Sequence, residues 1–206
     1  MKILLAAVLL VAACAAPAPS LSPAPSPSVA SPLPDVSLSV QSGASATGCP
    51  DPRTEGTLPF DRLVRVEIGQ VPGADVVTFA FDPPFGPAAR TVATLEPASP
   101  PFVEGGSGLS LEVEGDAFVS MKFQGVILSD DGGQPTLTTP SEYRPLLPVV
   151  RHVVNSEAFE GISRWLIGYE GQTCVVVTTD LGARVIRLAF TYAVRRARLT
   201  GPRRVI

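Results

Sequence analysis

The feature that most constrains the fold is an alternation of apolar and polar residues that recurs through residues 64–192. Val119, Met121 and Phe123, for example, alternate with polar neighbours. A period of two residues indicates a strand with one buried face, because successive side chains of a strand point to opposite faces. The pattern predicts strands at 64–68, 77–81, 109–113, 119–124, 149–154, 162–169, 174–179 and 184–192.

Proline and glycine clusters separate these segments. They lie at 82–87, 96–101, 104–108 and 130–135. Such residues favour turns and loops. No long stretch has a helical period, although one short turn near 155–159 is compatible with the sequence. Many short strands with this punctuation predict an all-β fold, either an antiparallel β-sandwich or a partly open β-barrel, after a disordered N-terminal segment.

The first 13 residues, MKILLAAVLLVAA, are typical of an export signal. One lysine is followed by an apolar run that is shorter than the roughly 20 residues needed to span a bilayer. Small residues then precede Cys14, as in the motif at which lipoproteins are cleaved and acylated. We therefore expect residues 1–13 to be a lipoprotein signal peptide. Diacylglyceryl attachment and acylation, for example with palmitate, at Cys14 would then anchor the chain stably.

Residues 14–48 are predicted to be a disordered tether. Seventeen of the twenty residues in 15–34 are proline, alanine or serine, and none is charged. Such a segment buries too little apolar surface to offset the entropy lost on ordering. The tether would hold a domain away from the outer face of the cell membrane, or of the outer membrane in a bacterium with two membranes.

Residues 49–192 are long enough for one domain with a substantial core. They contain 18 acidic and 10 basic residues, a formal charge of about −8. The tail, 193–206, contains five arginines and no acidic residue. This tail is either solvated or able to contact anionic wall polymers or lipids. Nucleic acid is not an expected partner of so acidic a domain.

Two cysteines remain once Cys14 is assigned to the lipid anchor. Outside the cytoplasm, a remaining pair of cysteines is more often bridged than free. We therefore expect a disulfide between Cys49, where the tether ends, and Cys174, which opens an apolar strand. Such a bridge would pin the start of the domain to its core.

Residues suited to catalysis or metal binding are scarce. His152 is the only histidine, and no nucleophile-elbow motif accompanies it, so a structural role is favoured over that of a catalytic base. No zinc site, cofactor site or phosphate-binding glycine motif is expected. Glu112 and Glu114 resemble a carboxylate pair but fit a solvated strand face better. The sequence at 130–133, DDGG, fits a tight turn better than a calcium loop.

Two aromatic residues are the only candidates for ligand contact. Trp165 and Tyr169 lie on one face of a predicted strand, with Ile167 between them. Aromatic rings can stack on sugars, but such a stripe is more often part of a core.

Three segments together resemble a known family. They read PFDRLVRVEI at 59–68, LEVEGDAFVSMKFQGV at 111–126, and EAFEGISRWLIGYEGQTCVVVTTDLGARVIRLAFTY at 157–192. In order, they resemble the opening strand, the middle hairpin and the C-terminal half of the AMIN-like domain of bacterial, often actinobacterial, lipoproteins. The turn at 180–183 lacks the proline expected there. The resemblance implies a β-sandwich related to AMIN domains, which help to position wall-remodelling amidases and pilus secretins. It assigns no catalytic or ligand-binding residue.

These observations favour a lipid-anchored, non-catalytic envelope module that binds peptidoglycan, another wall polymer or an envelope protein. An alternative is a carrier whose strands enclose an apolar ligand. A third is an unrecognised hydrolase centred on His152. The fold alone does not choose among them.

Overall fold

The structure is a computed structural model. In the part of the chain that it describes, all of the regular secondary structure consists of antiparallel strands. The described residues are 39–40, 49, 51–84, 86 and 89–192. They form thirteen strands and no helix, and hence no helix that could cross a membrane. The predicted signal peptide, Cys14, nearly all of the predicted tether and the basic tail lie outside the described residues. The strands are β1 (Ser39–Val40), β2 (Thr54–Leu58), β3 (Leu63–Val71), β4 (Ala74–Phe81), β5 (Thr91–Ala98), β6 (Phe102–Val103), β7 (Ser110–Leu111), β8 (Ala117–Gln124), β9 (Glu142–Tyr143), β10 (Val150–Phe159), β11 (Ile162–Tyr169), β12 (Cys174–Asp180) and β13 (Val185–Thr191).

Two sheets form the domain. The large sheet has seven strands in the order β1-β2-β5-β8-β11-β10-β9, and the small sheet has four in the order β12-β13-β4-β3. A separate short hairpin pairs β6 with β7. Each sheet ends in edge strands instead of closing on itself. The predicted all-β antiparallel sandwich is therefore confirmed, and the partly open barrel does not form.

The inner faces of the two sheets share one apolar core. Phe79 of β4 lies edge-on to Phe123 of β8 and to Trp165 of β11, with ring centroids 5.1 and 5.9 Å apart. Edge-to-face pairs at such distances contribute beyond the area that they bury. These aromatic contacts connect the small sheet to the large one across the middle of the sandwich.

A buried carboxylate also connects the two sheets. Asp75 of β4 has no exposed surface, and its Oδ2 accepts hydrogen bonds from the backbone N–H groups of Val149 and Val150 at 2.7 and 2.9 Å. Two backbone donors compensate part of the cost of burying the carboxylate. Asp75 therefore fixes the start of β10 against the small sheet.

The structure departs from the sequence prediction in several places. The sequence predicted no strand at β1, β2 or the first part of β5, and β1 lies within the predicted tether. Residues 155–159 continue β10, and a β-bulge follows Asn155 in place of the turn. The predicted strand at 109–113 contracts to Ser110–Leu111. Conversely, β5 extends into a segment predicted to be a loop because of Pro97. This proline is tolerated because β2 pairs with β5 only as far as Leu95, so Pro97 lies beyond the end of β2 and needs no donor on that side.

Candidate binding pocket on the outer face of the large sheet

The two aromatic residues suggested as ligand contacts face the core. Trp165 has no accessible surface and Tyr169 is only 8% exposed. Trp165 Nε1 donates a hydrogen bond to Ser163 Oγ at 3.0 Å, and the Tyr169 ring packs against Phe190. Both rings therefore belong to the core, which is the role that the sequence favoured over ligand contact. The two-residue period of β11 places both on the face turned toward the small sheet.

The opposite, outer face of the large sheet carries a row of residues from four adjacent strands. Glu96 of β5 pairs with Ser120 of β8, and Ser120 pairs in turn with Leu166 of β11. Leu166 pairs with Val154 of β10. Residues directly opposite each other on neighbouring strands share a face and lie about 4.5–5.5 Å apart at Cβ. The row therefore brings a carboxylate, a hydroxyl and apolar side chains together.

The connection from β5 to β6 covers one end of this row. Phe102 packs edge-on against Phe118, with ring centroids 5.0 Å apart. Phe102 also forms a small apolar cluster with Val154 and Leu166, separate from the main core. This cluster holds the connection and β6 on the sheet, so residues 99–105 form a wall above the polar part of the row.

A β-bulge fixes the far end of the same wall. The register of β10 against β11 shifts between Asn155 and Glu157, leaving Ser156 as the extra residue. Its carbonyl accepts a hydrogen bond from the Gly105 N–H at 2.6 Å. Only glycine suits position 105, because a Cβ there would collide with the Glu157 side chain. The wall is therefore attached to the sheet at both ends.

Between wall and sheet lies an open pocket of about 280 Å³. This volume is just below the range of typical small-ligand sites. Both polar and apolar side chains contribute to the pocket surface. It is lined by Glu96, Pro97, Ala98, Ser99, Pro101, Phe102, Val103, Ser120, Ser156, Arg164 and Leu166.

Two buried donors in the pocket make no hydrogen bond to a described residue. Ser120 is 4% exposed, and its Oγ has no hydrogen-bond partner. Arg164 Nε is likewise buried without a hydrogen bond, although it lies 3.1 Å from Glu157 Oε2 in an ion pair of poor hydrogen-bond geometry. Most buried polar atoms in native proteins are satisfied, so exceptions require a specific explanation. Two of the exceptions among the described residues line the same pocket; the full set is Arg62 Nε, Asp75 Oδ1, Ser120 Oγ, Arg164 Nε and Thr179 Oγ1.

His152 lies on the same outer face but in a satisfied environment. The residue is 1% exposed. Its Nδ1 accepts a hydrogen bond from the Glu114 N–H at 3.3 Å, while Nε2 lies 3.1 Å from Glu142 Oε1. This arrangement fits a neutral imidazole with its hydrogen on Nε2. Both ring nitrogens are thus engaged, which supports the structural role favoured from the sequence.

Charged neighbours of His152 form a surface network. Arg144 makes ion pairs with Glu142 and Glu114. Its hydrogen bond holds the pKa of Glu142 below the usual value of 4.5. Burial, followed by the positive charge of Arg144, lowers the pKa of His152 from 6.5. Both shifts favour a neutral imidazole beside an ionised carboxylate near neutral pH.

A close backbone approach covers His152. Gly168 of β11 pairs with His152 of β10, and a Cβ at Gly168 would collide with the Glu114 carbonyl. The chain around Glu114 therefore lies directly on the sheet at this point. Position 168 therefore accepts only glycine unless the backbone moves.

The other carboxylates considered from the sequence have structural surroundings. Glu114 is an exposed partner of Arg144. Asp130 Oδ1 accepts hydrogen bonds from the backbone N–H groups of Gly132 and Gln134, which closes a tight turn. Within the described ranges, no group of three or more metal-binding side chains is found.

The expected disulfide is present. Cys49 and Cys174 are bridged, with their Cα atoms 5.2 Å apart. Cys174 is the first residue of β12, so the bridge attaches the start of the domain to an edge of the small sheet. A bridge of this kind is typical of proteins outside the reducing cytoplasm.

A second depression lies on the outer face of the small sheet. It has a volume of about 660 Å³ and is shallow. Its lining includes the apolar residues Val76 and Ala189 and the charged residues Glu67 and Arg187. Its lining includes no atom among the buried groups that lack hydrogen bonds. Val71, 48% exposed, lies at one side.

The sequence prediction missed Glu96, Ser120 and Arg164. Ser120 and Arg164 alternate with apolar neighbours, which shows only that they lie on the outer faces of their strands, and Glu96 fell in a segment predicted to be a loop. The pocket arises because the connection between β5 and β6 folds back over this face, which no local pattern indicates. The unpaired state of the two donors is likewise a tertiary property.

The fold and the pocket define a β-sandwich domain with a concave, partly polar site on the outer face of its large sheet. The chain belongs to the AMIN-like domain family, whose model matches residues 61–188, more than half of the chain. This match confirms the resemblance inferred from the strand motifs. No curated protein and no solved structure matches the chain. An AMIN-like domain indicates a binding module of the cell wall or envelope, and the disulfide agrees with an extracytoplasmic location.

Proposed function

We propose that the chain is a lipid-anchored, non-catalytic binding module that holds wall glycan through the pocket on the outer face of the large sheet. The observation that carries this proposal is the pair of donors, Ser120 Oγ and Arg164 Nε, that make no hydrogen bond and line a concave site. Buried polar groups without partners are costly to a fold. A ligand that supplies acceptor atoms would remove that cost.

The surroundings of His152 support a non-catalytic role. A general base must reach a substrate, and His152 is 1% exposed with both ring nitrogens engaged. The imidazole would have to break an internal hydrogen bond before it could accept a proton on Nδ1. A hydrolase centred on this residue is therefore disfavoured.

Tight aromatic packing of the core argues against an apolar-ligand carrier. Such a carrier needs a cavity between its sheets, and Phe79, Phe123 and Trp165 fill the middle of this sandwich with edge-to-face contacts. An envelope protein as the partner remains the second candidate, since Val71 and Val76 offer apolar surface on the outer face of the small sheet.

The anchoring part of the proposal derives from the sequence. Residues 1–13 would be removed as a signal peptide, Cys14 would bear the acyl chains, and 14–48 would connect the membrane to the domain at 49–192. The basic tail, 193–206, would add electrostatic attraction to anionic polymers. Two acyl chains or more hold a protein to a membrane far better than one.

Retention on purified sacculi tests the binding part. The full chain, purified in mild detergent, is mixed with sacculi from which anionic polymers have been stripped, and the sediment is quantified. We expect the chain to sediment with the sacculi. Its remaining in the supernatant would remove wall glycan as the ligand and leave an envelope protein as the alternative.

A tail variant serves as the matched control. Replacing all five arginines of 193–206 with glutamine removes the basic charge but leaves every described residue unchanged. Retention on stripped sacculi should be unaffected. Loss of retention in this variant would place binding in the tail and contradict the role of the pocket.

Metabolic labelling tests the anchor. Cells that express the chain are supplied with labelled palmitate, and label in the purified protein is compared with that in Cys14→Ala. We expect label only in the chain with the cysteine. Equal labelling of the two proteins would contradict acylation at Cys14.

A further inference from the structure

We propose that the pocket recognises an N-acetyl group, through hydrogen bonds to its carbonyl and amide N–H and apolar contact with its methyl. This inference rests on the proposed function and names the chemical group of the glycan that would be bound. It follows from which donors and acceptors in the pocket are unused, and from the charge around them.

Two donors in the pocket, Ser120 Oγ–H and Arg164 Nε–H, could each form a hydrogen bond to an acceptor atom of the ligand. Ser120 Oγ–H and Arg164 Nε–H both lie in the pocket lining without a hydrogen bond. Each can donate to an oxygen. Ser120 and Arg164 belong to β8 and β11, which are adjacent strands, so one carbonyl oxygen between them could accept from both.

An acceptor lies on the other side of Ser120. Glu96, the cross-strand neighbour of Ser120 on β5, lines the pocket and is exposed. An ionised carboxylate accepts hydrogen bonds but cannot donate them. The pocket therefore offers donors and an acceptor about one strand spacing apart, which matches the carbonyl and the N–H of a secondary amide.

Apolar atoms complete the site. Leu166 is the cross-strand neighbour of Ser120 on the side away from Glu96, and Ala98 and Phe102 contribute to the same lining. A methyl group attached to the amide carbonyl would contact such a surface. Burying a methyl group contributes on the order of 0.8 kcal/mol.

The charge of the pocket favours a neutral ligand over an anion. Arg164 is already paired with Glu157 at 3.1 Å, and Glu96 adds a second negative charge. Of the side chains that line the pocket, Glu96 is the only acidic one and Arg164 the only basic one, so a carboxylate ligand would be repelled by Glu96 and attracted only by a guanidinium that Glu157 already neutralises in part. A neutral amide gains the same hydrogen bonds without that repulsion.

Titration of the full chain with the trimer of N-acetylglucosamine tests this proposal, with isothermal calorimetry and amide NMR as readouts. We expect saturable binding with NMR shifts at Ser120, Arg164 and Leu166. The fully deacetylated trimer should not bind, although its positive amines would be attracted to Glu96 and Glu157. Equal binding of the two trimers would overturn the proposal, as would shifts confined to the outer face of the small sheet.

Two serine variants separate recognition from a structural role. Ser120→Ala removes a hydroxyl without an internal partner, so we expect three- to tenfold weaker binding and an unchanged or higher melting temperature. Ser163→Ala removes a buried hydroxyl that accepts hydrogen bonds from Trp165 Nε1 and Asn155 Nδ2. It should lower the melting temperature and leave affinity unchanged. A destabilised Ser120→Ala variant of normal affinity would contradict the proposal.

Glu96→Ala distinguishes an amide ligand from an anion. Loss of the acceptor for the amide N–H should weaken binding of the acetylated trimer. Binding of propionate that strengthens in this variant would identify an anion site and overturn the proposal.

The sacculus experiment distinguishes failure of this proposal from failure of the proposed function. If Ser120→Ala and Glu96→Ala leave retention on sacculi unchanged, the pocket is not the binding site, although the chain still binds the wall. Trimer binding without retention on sacculi would support the pocket but contradict the proposed function.

Discussion

The two faces of the large sheet differ in what surrounds their buried side chains. On the inner face, Trp165 and Phe123 are fully buried against the small sheet. On the outer face, Ser120 Oγ and Arg164 Nε are buried and make no hydrogen bond to a described residue, while both ring nitrogens of His152 are engaged. The comparison teaches that burial alone does not identify a functional residue. The informative property is whether the partners of a buried polar atom lie within the fold.

The largest expected effect comes from the inner face. Trp165→Ala should lower the free energy of unfolding by about 3–5 kcal/mol, because it leaves a cavity between the sheets and removes the hydrogen bond to Ser163. Urea denaturation under non-reducing conditions measures this loss. Lys122→Ala, on the outer face of the adjacent strand, is the control and should change stability by no more than about 0.5 kcal/mol. Equal effects of the two variants would contradict the assignment of faces.

A smaller loss of folding stability is expected from replacing His152, whose ring nitrogens are both engaged on the outer face. His152→Ala leaves the Glu114 N–H without its acceptor and opens a small cavity, at a cost of about 2 kcal/mol. The same denaturation experiment measures it. Binding of the acetylated trimer per folded molecule should be unchanged. A folded His152→Ala variant that has lost binding would place His152 in the binding site.

His152 should also contribute to the pH dependence of folding stability. The pKa of His152 is lower in the folded protein than the unfolded value of about 6.5, mainly because of burial. The unfolded chain therefore binds more protons just below pH 6.5, and stability should fall as the pH is lowered through that value. Melting temperatures between pH 7.5 and 5 check this, and His152→Ala should be flatter over the range. A stability that rises as the pH falls from 7 to 6 would contradict the direction.

The smallest effect is expected at the exposed network. Arg144→Gln should change the free energy of unfolding by no more than about 0.5 kcal/mol, since half-exposed ion pairs contribute little. It should nevertheless raise the pKa of His152, because the positive charge of Arg144 disfavours a charged imidazole. NMR titration of the imidazole measures the change. An unaltered His152 titration would show that burial alone sets its pKa.

Much of the fold was predictable because its causes are local. The alternation of Val119, Met121 and Phe123 identified β8 and its inner face, since strand geometry fixes where successive side chains point. The cysteine pair was predictable from its number and the expected compartment. Pro97 and the bulge after Asn155 were misjudged because their tolerance depends on the extent of the neighbouring strand and on the register with β11.

The pocket was not predictable in the same way. Trp165 and Tyr169 were the only candidates for ligand contact that the sequence offered, and it already favoured a core role for both. The strand period alone does not reveal which face of a strand meets a second sheet. Ser120 and Glu96 are 24 residues apart in the chain and meet only through the register of β5 with β8.

The amino-acid sequence by itself determined the class of fold, the family and the candidate anchor at Cys14, because these depend on short patterns read along the chain. Only the tertiary structure decided which buried polar atoms remain without partners. Whether a buried polar atom finds a hydrogen-bond partner depends on every residue near it in space. The neighbours of Ser120 and Arg164 come from distant strands and from the connection folded over them.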